Sequence, residues 1–110
     1  MKEFSVVIEE PAQKGLREIF EYISNTLIEP QIAKGVMLRI RKAIENLNQM
    51  PERHPYYDSE PWRSQGVRRM NIGNFSAFYT VEMESYTVHV LAVIYGRRDI
   101  SRVLEENLNN

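Results

Sequence analysis

Two pairs of adjacent arginines are the residues of this chain whose type and spacing point most specifically to a chemical role. Arg68 and Arg69 stand near the start of a β-rich run, and Arg97 and Arg98 follow an apolar stretch that ends at Tyr95. Guanidinium groups bind carboxylates and phosphates through charge-assisted hydrogen bonds that are often bidentate. We expect Arg69 and Arg98 to converge on neighbouring strands and to form a cationic site for an anionic group.

These arginines also have a structural interpretation. Because side chains alternate along a strand, Arg68 and Arg69 should point to opposite faces, one toward the helices and one toward the open face of the sheet. The alternative to an anion site is a salt bridge, and exposed pairs of this kind are common and individually weak. The acids that could form one include Glu82, Glu84 and Asp99. The sequence leaves both interpretations open.

A proline-rich segment, residues 51–66, contains two further candidates. Trp62, the single tryptophan, is expected to pack this segment against the sheet, and the alternative is a hot spot for a partner. His54 is a candidate proton-transfer group because histidine titrates near neutral pH. His89 alternates with valines, which is typical of a structural histidine. The tyrosines interpreted as packing residues are Tyr56, Tyr57 and Tyr79.

The composition argues against several kinds of site. The 110 residues include no cysteine, so a disulfide, a thiolate zinc site and a cysteine nucleophile are excluded. The two histidines lie far apart with no acid at ligand spacing, and no nucleotide motif occurs, so neither a metal nor a cofactor is expected. The net charge of −1 lacks the basic excess of proteins that bind bulk nucleic acid. No signal peptide or membrane span is evident, so we expect a cytoplasmic protein without a membrane partner.

The hydrophobic pattern predicts one α+β domain over residues 1–110. A β-rich run at residues 4–8 predicts the first strand. Apolar residues at spacings of three and four then predict two helices, which begin at Pro11 and Pro30 and form an antiparallel hairpin. The cations on the second helix, interpreted as a solvated face, are Lys34, Arg39, Arg41 and Lys42.

After residue 66 the hydrophobic period changes to two, which predicts three strands joined by hairpins. The last strand is nearly all apolar or β-branched and should be central, with both faces buried. These predicted strands cover residues 67–72, 74–82 and 86–95, and a short helix follows at 101–108. The expected fold is thus an N-terminal strand and a helical hairpin packed on an antiparallel sheet.

This order of elements resembles the RelE/ParE superfamily, the toxins of bacterial type II toxin–antitoxin pairs. Three segments are similar to its ParE branch: FEYISNTLIEPQIA at 20–33, GVRRMNIGNFSAFYTV at 66–81 and VIYGRRDI at 93–100. The likeness covers nearly the whole chain. It implies a partner antitoxin that silences the toxin in a hetero-oligomer. It also implies one of two targets, because the RelE branch cuts messenger RNA on the ribosome and the ParE branch poisons DNA gyrase.

The resemblance separates the two branches at a few positions. Arg69 and Arg98 stand where the RelE branch has cations. Ser76 stands where that branch has a further arginine, and Leu104 stands near the position of its tyrosine. One cation and the proton-transfer group of a ribonuclease are therefore missing, which favours a ParE-like toxin that binds gyrase.

The docking residues expected on this hypothesis are Arg68, Arg69, Arg97, Arg98 and Trp62. One alternative is a ribosome-dependent endoribonuclease that uses Arg69 and Arg98, with His54 as a possible proton-transfer group. Another is a non-toxic binding module of the same fold. The residues alone leave open whether the chain is an enzyme.

Overall fold

A computed structural model describes residues 2–96 and 100–108 of the chain. The predicted α+β class and the order of elements are confirmed. The elements are β1 (Ser5–Ile8), α1 (Glu10–Glu21), α2 (Pro30–Glu45), β2 (Arg68–Ile72), β3 (Phe75–Glu82), β4 (Thr87–Tyr95) and α3 (Ile100–Leu108). Within these residues, no helix combines the length and the apolar character needed to cross a membrane.

The described strands form one sheet in the order β1-β4-β3-β2. The pairs β2–β3 and β3–β4 are antiparallel hairpins, as predicted. β1 pairs in parallel with β4, which makes the sheet mixed. A parallel pair needs a long crossover connection, and here the helical hairpin is part of that connection. β4 therefore lies inside the sheet, which explains its nearly continuous apolar sequence.

The two long helices cover one side of the sheet, which we call the helix face. Prolines stand in the first turn of both helices, where the missing N–H removes no hydrogen bond. The first apolar stripe runs past the end of α1, because the chain continues as a π-helical turn, Tyr22–Thr26. Gly15 lets α1 approach β4 closely, since a Cβ there would lie 2.8 Å from the carbonyl oxygen of Val93.

A β-bulge in β4 buries this strand on both sides. Phe78 pairs with Ala92 and Tyr79 pairs with Val90, so Leu91 is the extra residue. Before the bulge Val90 packs under the helices, and after it Ala92 faces the opposite side, which we call the far face. The buried residues of the far-face cluster are Tyr57, Trp62, Val67, Phe78, Ala92, Ile94 and Leu104.

The segment from residue 51 to 66 is ordered, as predicted, and it runs beside β2. The amide of Tyr57 donates to the carbonyl of Val67 at 2.8 Å, and the amide of Arg69 donates to the carbonyl of Pro55 at 3.0 Å. This segment therefore protects the outer edge of the first part of β2 from pairing with another chain. It also carries Trp62 and Tyr57 onto the far face, where α3 adds Leu104.

Candidate functional site

The adjacent arginines of β2 have different environments, because they point to opposite faces as predicted. Arg68 donates through Nη1 to the carbonyl oxygens of Glu52, at 3.1 Å, and His54, at 2.7 Å. Its guanidinium stacks 4.1 Å from the centre of the Tyr56 ring, and its side chain is 11% exposed. Arg68 thus fastens residues 52–56 to the sheet, and its donors are largely occupied inside the protein.

Arg69 lies on the far face within a group of four other residues. Its Nε donates to Oδ1 of Asn71 at 3.1 Å and to Oγ of Ser76 at 3.2 Å. Its guanidinium carbon lies 5.8 Å from the centre of the Tyr57 ring and 5.7 Å from that of Phe78. We call these five residues the Arg69 cradle. Two polar and two aromatic contacts fix the guanidinium in one place.

Strand register explains why these residues meet. Arg69 is the cross-strand partner of Phe78, and Asn71 is the partner of Ser76, so all four side chains share the far face. Ser76 is 4% exposed, and its hydroxyl donates to Oδ1 of Asn71 at 3.0 Å. Across residues 2–96 and 100–108, the Nη atoms of Arg69 have neither a hydrogen bond nor an ion pair. The cradle therefore presents a fixed, charged edge that has no partner among these residues.

The salt-bridge alternative named Glu82, Glu84 and Asp99 as possible partners, and Asp99 lies outside the described residues. Within the described chain, neither Glu82 nor Glu84 pairs with Arg68 or Arg69. The carboxylate nearest to Arg68 belongs to Glu52, with Nη2 and Oε2 3.9 Å apart. The sequence placed Arg69 and Arg98 on neighbouring strands, which is wrong, because β3 lies between β2 and β4. Arg97, Arg98 and Asp99 lie outside the described residues, so the convergence of Arg69 with Arg98 itself stays a prediction.

Trp62 lies in the far-face cluster and is 4% exposed. This is the packing role favoured by the sequence. A docking role for the indole is not supported, because the segment folds inward to cover Phe78 and Leu104.

His54, the expected proton-transfer candidate, and Tyr79, expected to be a packing residue, lie away from the Arg69 cradle. The Tyr79 hydroxyl donates to the carbonyl of Pro51 at 2.6 Å, and burial raises the pKa of Tyr79 to about 12. The His54 ring meets Tyr79 edge-on at 6.3 Å, and its pKa is lowered, first by burial and then by the charge of Arg53. Tyr79 belongs to the helix face, so both groups are separated from Arg69 by the sheet.

His89 has the structural role that its sequence position indicates. Its Nδ1 lies 2.8 Å from Oε2 of Glu9, and its Nε2 lies 3.2 Å from Oε1 of Glu82. The bond to Glu9 is the main reason that the pKa of His89 is raised. Because the two carboxylates sit on opposite ring nitrogens, they do not converge on a common metal position. Among the described residues, no group of three potential ligands could hold a metal.

A groove of about 990 Å³ between α1 and α2 is a second candidate surface. Its apolar lining includes Leu16, Phe20, Met37 and Leu38. Its charged lining consists of Arg17, Glu21, Lys34 and Arg41, three cations against one acid. We call this the helical groove. The sequence assigned Lys34 and Arg41 to a solvated face, and only the packing of the two helices places both beside an apolar floor.

The protein is thus a small α+β domain with a cationic cradle on the far face of its sheet and an apolar groove with a mainly cationic rim between α1 and α2. A family model described as the ParE toxin of the type II toxin–antitoxin system parDE matches residues 6–100. The chain therefore belongs to this family, and it is a toxin of a type II toxin–antitoxin system. No curated protein sequence matches the chain.

Solved structures share the fold. The chromosomal ParDE toxin–antitoxin system of P. aeruginosa matches with 22% identity over 86% of this chain and 98% of that chain, at a TM-score of 0.71. The RelBE2 toxin–antitoxin complex of Mycobacterium tuberculosis matches with 21% identity over 86% and 93%, at 0.61. A mutant of the E. coli toxin RelE in the free state matches with 19% identity over 99% and 97%, at 0.61.

Proposed function

We propose that this toxin arrests bacterial growth by binding an essential protein, with DNA gyrase as the favoured target. The observation that carries the proposal is the Arg69 cradle. It offers a fixed guanidinium edge, yet Ser76 is buried beside it where the RelE branch has an arginine. Leu104, near the position of that branch's tyrosine, is 0% exposed in the far-face cluster. Such a site can hold an anion without breaking a bond.

Metal-free RNA cleavage sets further requirements that this chain meets poorly. It needs a group that activates the 2′-hydroxyl and a group that protonates the leaving oxygen, besides the cations that stabilise the phosphate. His54 and Tyr79 lie across the sheet from Arg69. The net charge of −1 also gives no electrostatic drive toward ribosomal RNA. A protein target requires neither feature.

We further propose that a cognate antitoxin inactivates the toxin in a hetero-oligomer, by laying an acidic amphipathic segment in the helical groove. Charge supports this occupant, because Lys34 and Arg41 have no ion pair within the described part of the chain. Apolar anchors of such a segment would pack on Phe20 and Leu38, which are exposed in the groove. The ParDE and RelBE2 structures are toxin–antitoxin systems of the same fold. We place the complex in the cytoplasm and assign the function to one domain over residues 1–110.

The target is tested in bacteria that carry the chain under tight induction. Incorporation of labelled thymidine and labelled amino acid is followed in the first minutes. We expect thymidine incorporation to fall first while translation continues, and purified gyrase to lose supercoiling activity when the toxin is added. An earlier fall in amino acid incorporation would contradict the proposal and favour a ribonuclease. Growth without any arrest would favour a non-toxic binding module.

A ribonuclease remains the second candidate because of Tyr57. Among the described residues, it is the one phenol whose ring contacts the Arg69 guanidinium. Tyr57→Phe keeps that ring and removes the hydroxyl. If the toxin acts by binding a protein target, the variant should arrest growth as the wild type does. A loss of arrest with retained folding would assign a proton-transfer role to Tyr57.

The antitoxin surface is tested by reversing charges in the groove. The double variant Lys34→Glu/Arg41→Glu should stay toxic and lose neutralisation when the antitoxin is co-expressed. Lys14→Glu/Lys42→Glu is the matched control, because it makes the same change in net charge at exposed helix positions that do not line the groove. Equal loss of neutralisation in both variants would show a general charge effect and would contradict the groove.

A further inference from the structure

We propose that the Arg69 cradle is a receptor for a carboxylate side chain on the protein target, and that Asn71 supplies a second donor whose direction Ser76 fixes. This inference rests on the proposed function, because it assumes a protein target. It adds the chemical group that the toxin recognises and two residues that the family resemblance does not assign.

Donor chemistry fixes the orientation of the Asn71 amide. Arginine can only donate, so the atom of Asn71 that lies 3.1 Å from Nε of Arg69 must be the oxygen. The hydroxyl of Ser76 donates to the same oxygen at 3.0 Å. With Oδ1 held by two donors, the Nδ2 group is directed away from both. Asn71 is exposed, so this N–H₂ is available to a ligand.

The available donors suit a carboxylate. With Nε occupied, Arg69 presents its Nη atoms, whose planar arrangement matches the two oxygens of a carboxylate. The rings of Tyr57 and Phe78 flank the guanidinium and displace water from it, which strengthens a charged hydrogen bond. Since the side chain is already held by Ser76 and both rings, little rotamer entropy remains to be lost when a ligand binds.

The same geometry argues against an RNA ligand. Single-stranded RNA is held by several cations along the backbone and by aromatic faces on which bases stack. Here Tyr57 is 8% and Phe78 is 0% exposed, so neither ring has a free face for a base. Arg68, the neighbouring cation, points to the helix face and is bound to carbonyl oxygens. Among residues 2–96 and 100–108, the cradle offers one guanidinium and one amide donor, which match one acidic side chain.

Two substitutions test the receptor through binding to purified gyrase and through growth arrest. Arg69→Lys keeps the charge and removes the planar fork, and we expect binding to weaken roughly 10- to 100-fold, as for the loss of a charge-assisted hydrogen bond. Asn71→Asp keeps the oxygen that accepts from Arg69 and Ser76, but it replaces the N–H₂ donor by a negatively charged oxygen where the carboxylate binds, and should weaken binding at least as much. Asn74→Asp is the control, an exposed turn residue outside the cradle.

A direct probe uses the full chain labelled with ¹⁵N at arginine side chains. Sodium acetate, inorganic phosphate and a single-stranded RNA dodecamer are titrated while the Arg69 Nε–H resonance is followed by NMR. We expect acetate to shift this resonance, with the shift reduced in Asn71→Asp, and RNA to leave it unchanged. A response to RNA at lower concentration than to acetate, or none to acetate, would overturn the carboxylate receptor.

Ser76→Ala tests the positioning role separately. Removal of the hydroxyl should speed hydrogen exchange at Arg69 Nε–H and weaken gyrase binding, with antitoxin binding unchanged. Ser76→Thr keeps the hydroxyl and should restore slow exchange. Loss of gyrase binding in Ser76→Ala without faster exchange would contradict positioning through Arg69.

The failure of this inference can be told from the failure of the proposed function. If Arg69→Lys and Asn71→Asp arrest growth fully and thymidine incorporation still falls first, the carboxylate receptor is wrong and the protein target stands. If wild-type induction stops amino acid incorporation first, the protein target itself is wrong. Should Arg69→Lys not bind antitoxin, it is misfolded, and Asn71→Asp at an exposed position decides the question.

Discussion

The two faces of the sheet differ in how completely they are covered. The helix face lies under two long helices and has an apolar core, and its polar groups are satisfied: the Tyr79 hydroxyl donates to Pro51, and Arg68 donates to backbone carbonyl oxygens. The far face is covered only in part, by the segment of residues 51–66 and the short helix α3. A buried polar group must find a partner, whereas a group at the rim of a core can keep free donors for a ligand. The partly covered face is therefore where a binding site can form.

Arg68 and Arg69 show this difference within one dipeptide. Arg68 donates to backbone carbonyl oxygens and stabilises the fold. Arg69 contacts a serine, an amide and two rings, and its guanidinium presents a charged edge. Substitutions of structural groups and of binding groups should therefore have different effects, and the largest is expected for a buried ring.

Substitution of Trp62 should remove much of the packing that covers the far face. We expect Trp62→Ala to lower the free energy of unfolding by about 3–5 kcal/mol, because a large buried ring leaves a cavity. Urea denaturation followed by circular dichroism measures this change. A variant with unchanged stability and lost partner binding would restore the docking role that the burial of Trp62 argues against.

The comparison of the two arginines is sharpest in paired alanine variants. Arg68→Ala leaves the carbonyl oxygens of Glu52 and His54 without their donor and should destabilise the protein by about 2–3 kcal/mol. Arg69→Ala should cost less than about 1 kcal/mol, because Asn71 keeps its bond from Ser76. We expect the opposite order for growth arrest, in which Arg69→Ala should lose more toxicity than Arg68→Ala. Chemical denaturation and induced toxicity are measured on both, and equal effects in both assays would remove the distinction.

Tyr79 tests the helix face. Tyr79→Phe should lower stability by about 1–2 kcal/mol at neutral pH through the lost bond to Pro51. The folded pKa of about 12 exceeds the ordinary value of 10. The stabilisation is therefore complete below pH 10 and is lost as the pH rises through 12. Thermal melts from pH 8 to pH 11.5 should show a decline in the wild type that Tyr79→Phe lacks, and parallel declines would contradict it.

His89 should give the smallest effect. Its folded pKa is raised above the ordinary value of 6.5, mainly by Glu9. The ion pairs therefore stabilise the fold fully below pH 6.5, and this contribution is lost as the pH rises through the folded pKa. Both carboxylates are partly exposed to solvent, which weakens such pairs, so we expect only a small difference in stability. Melting temperatures of the wild type and His89→Gln at pH 5.5 and pH 8.5 measure it. If the melting temperatures of the two proteins differ more at pH 8.5 than at pH 5.5, the predicted direction of the pH dependence is wrong.

Much of the fold could be predicted because it depends on local patterns. The stripe at spacings of three and four locates both helices, and Pro30 marks the start of the second. The bulge at Leu91, the parallel pairing of β1 and the π-helical turn after Glu21 were not predictable. Each of them depends on how an element meets its neighbours, and no single residue type encodes such a contact.

For the site, the sequence alone determined that Arg68 and Arg69 diverge, because alternation along a strand is a local property of the backbone. It also determined that cysteine chemistry is absent. The tertiary structure decided which arginine is occupied and which is presented, that Trp62 is covered, and that Asn71 and Ser76 join Arg69. The physical reason is that the partners of a charge come from distant segments, and only strand register and the folded-back loop bring them within hydrogen-bond distance.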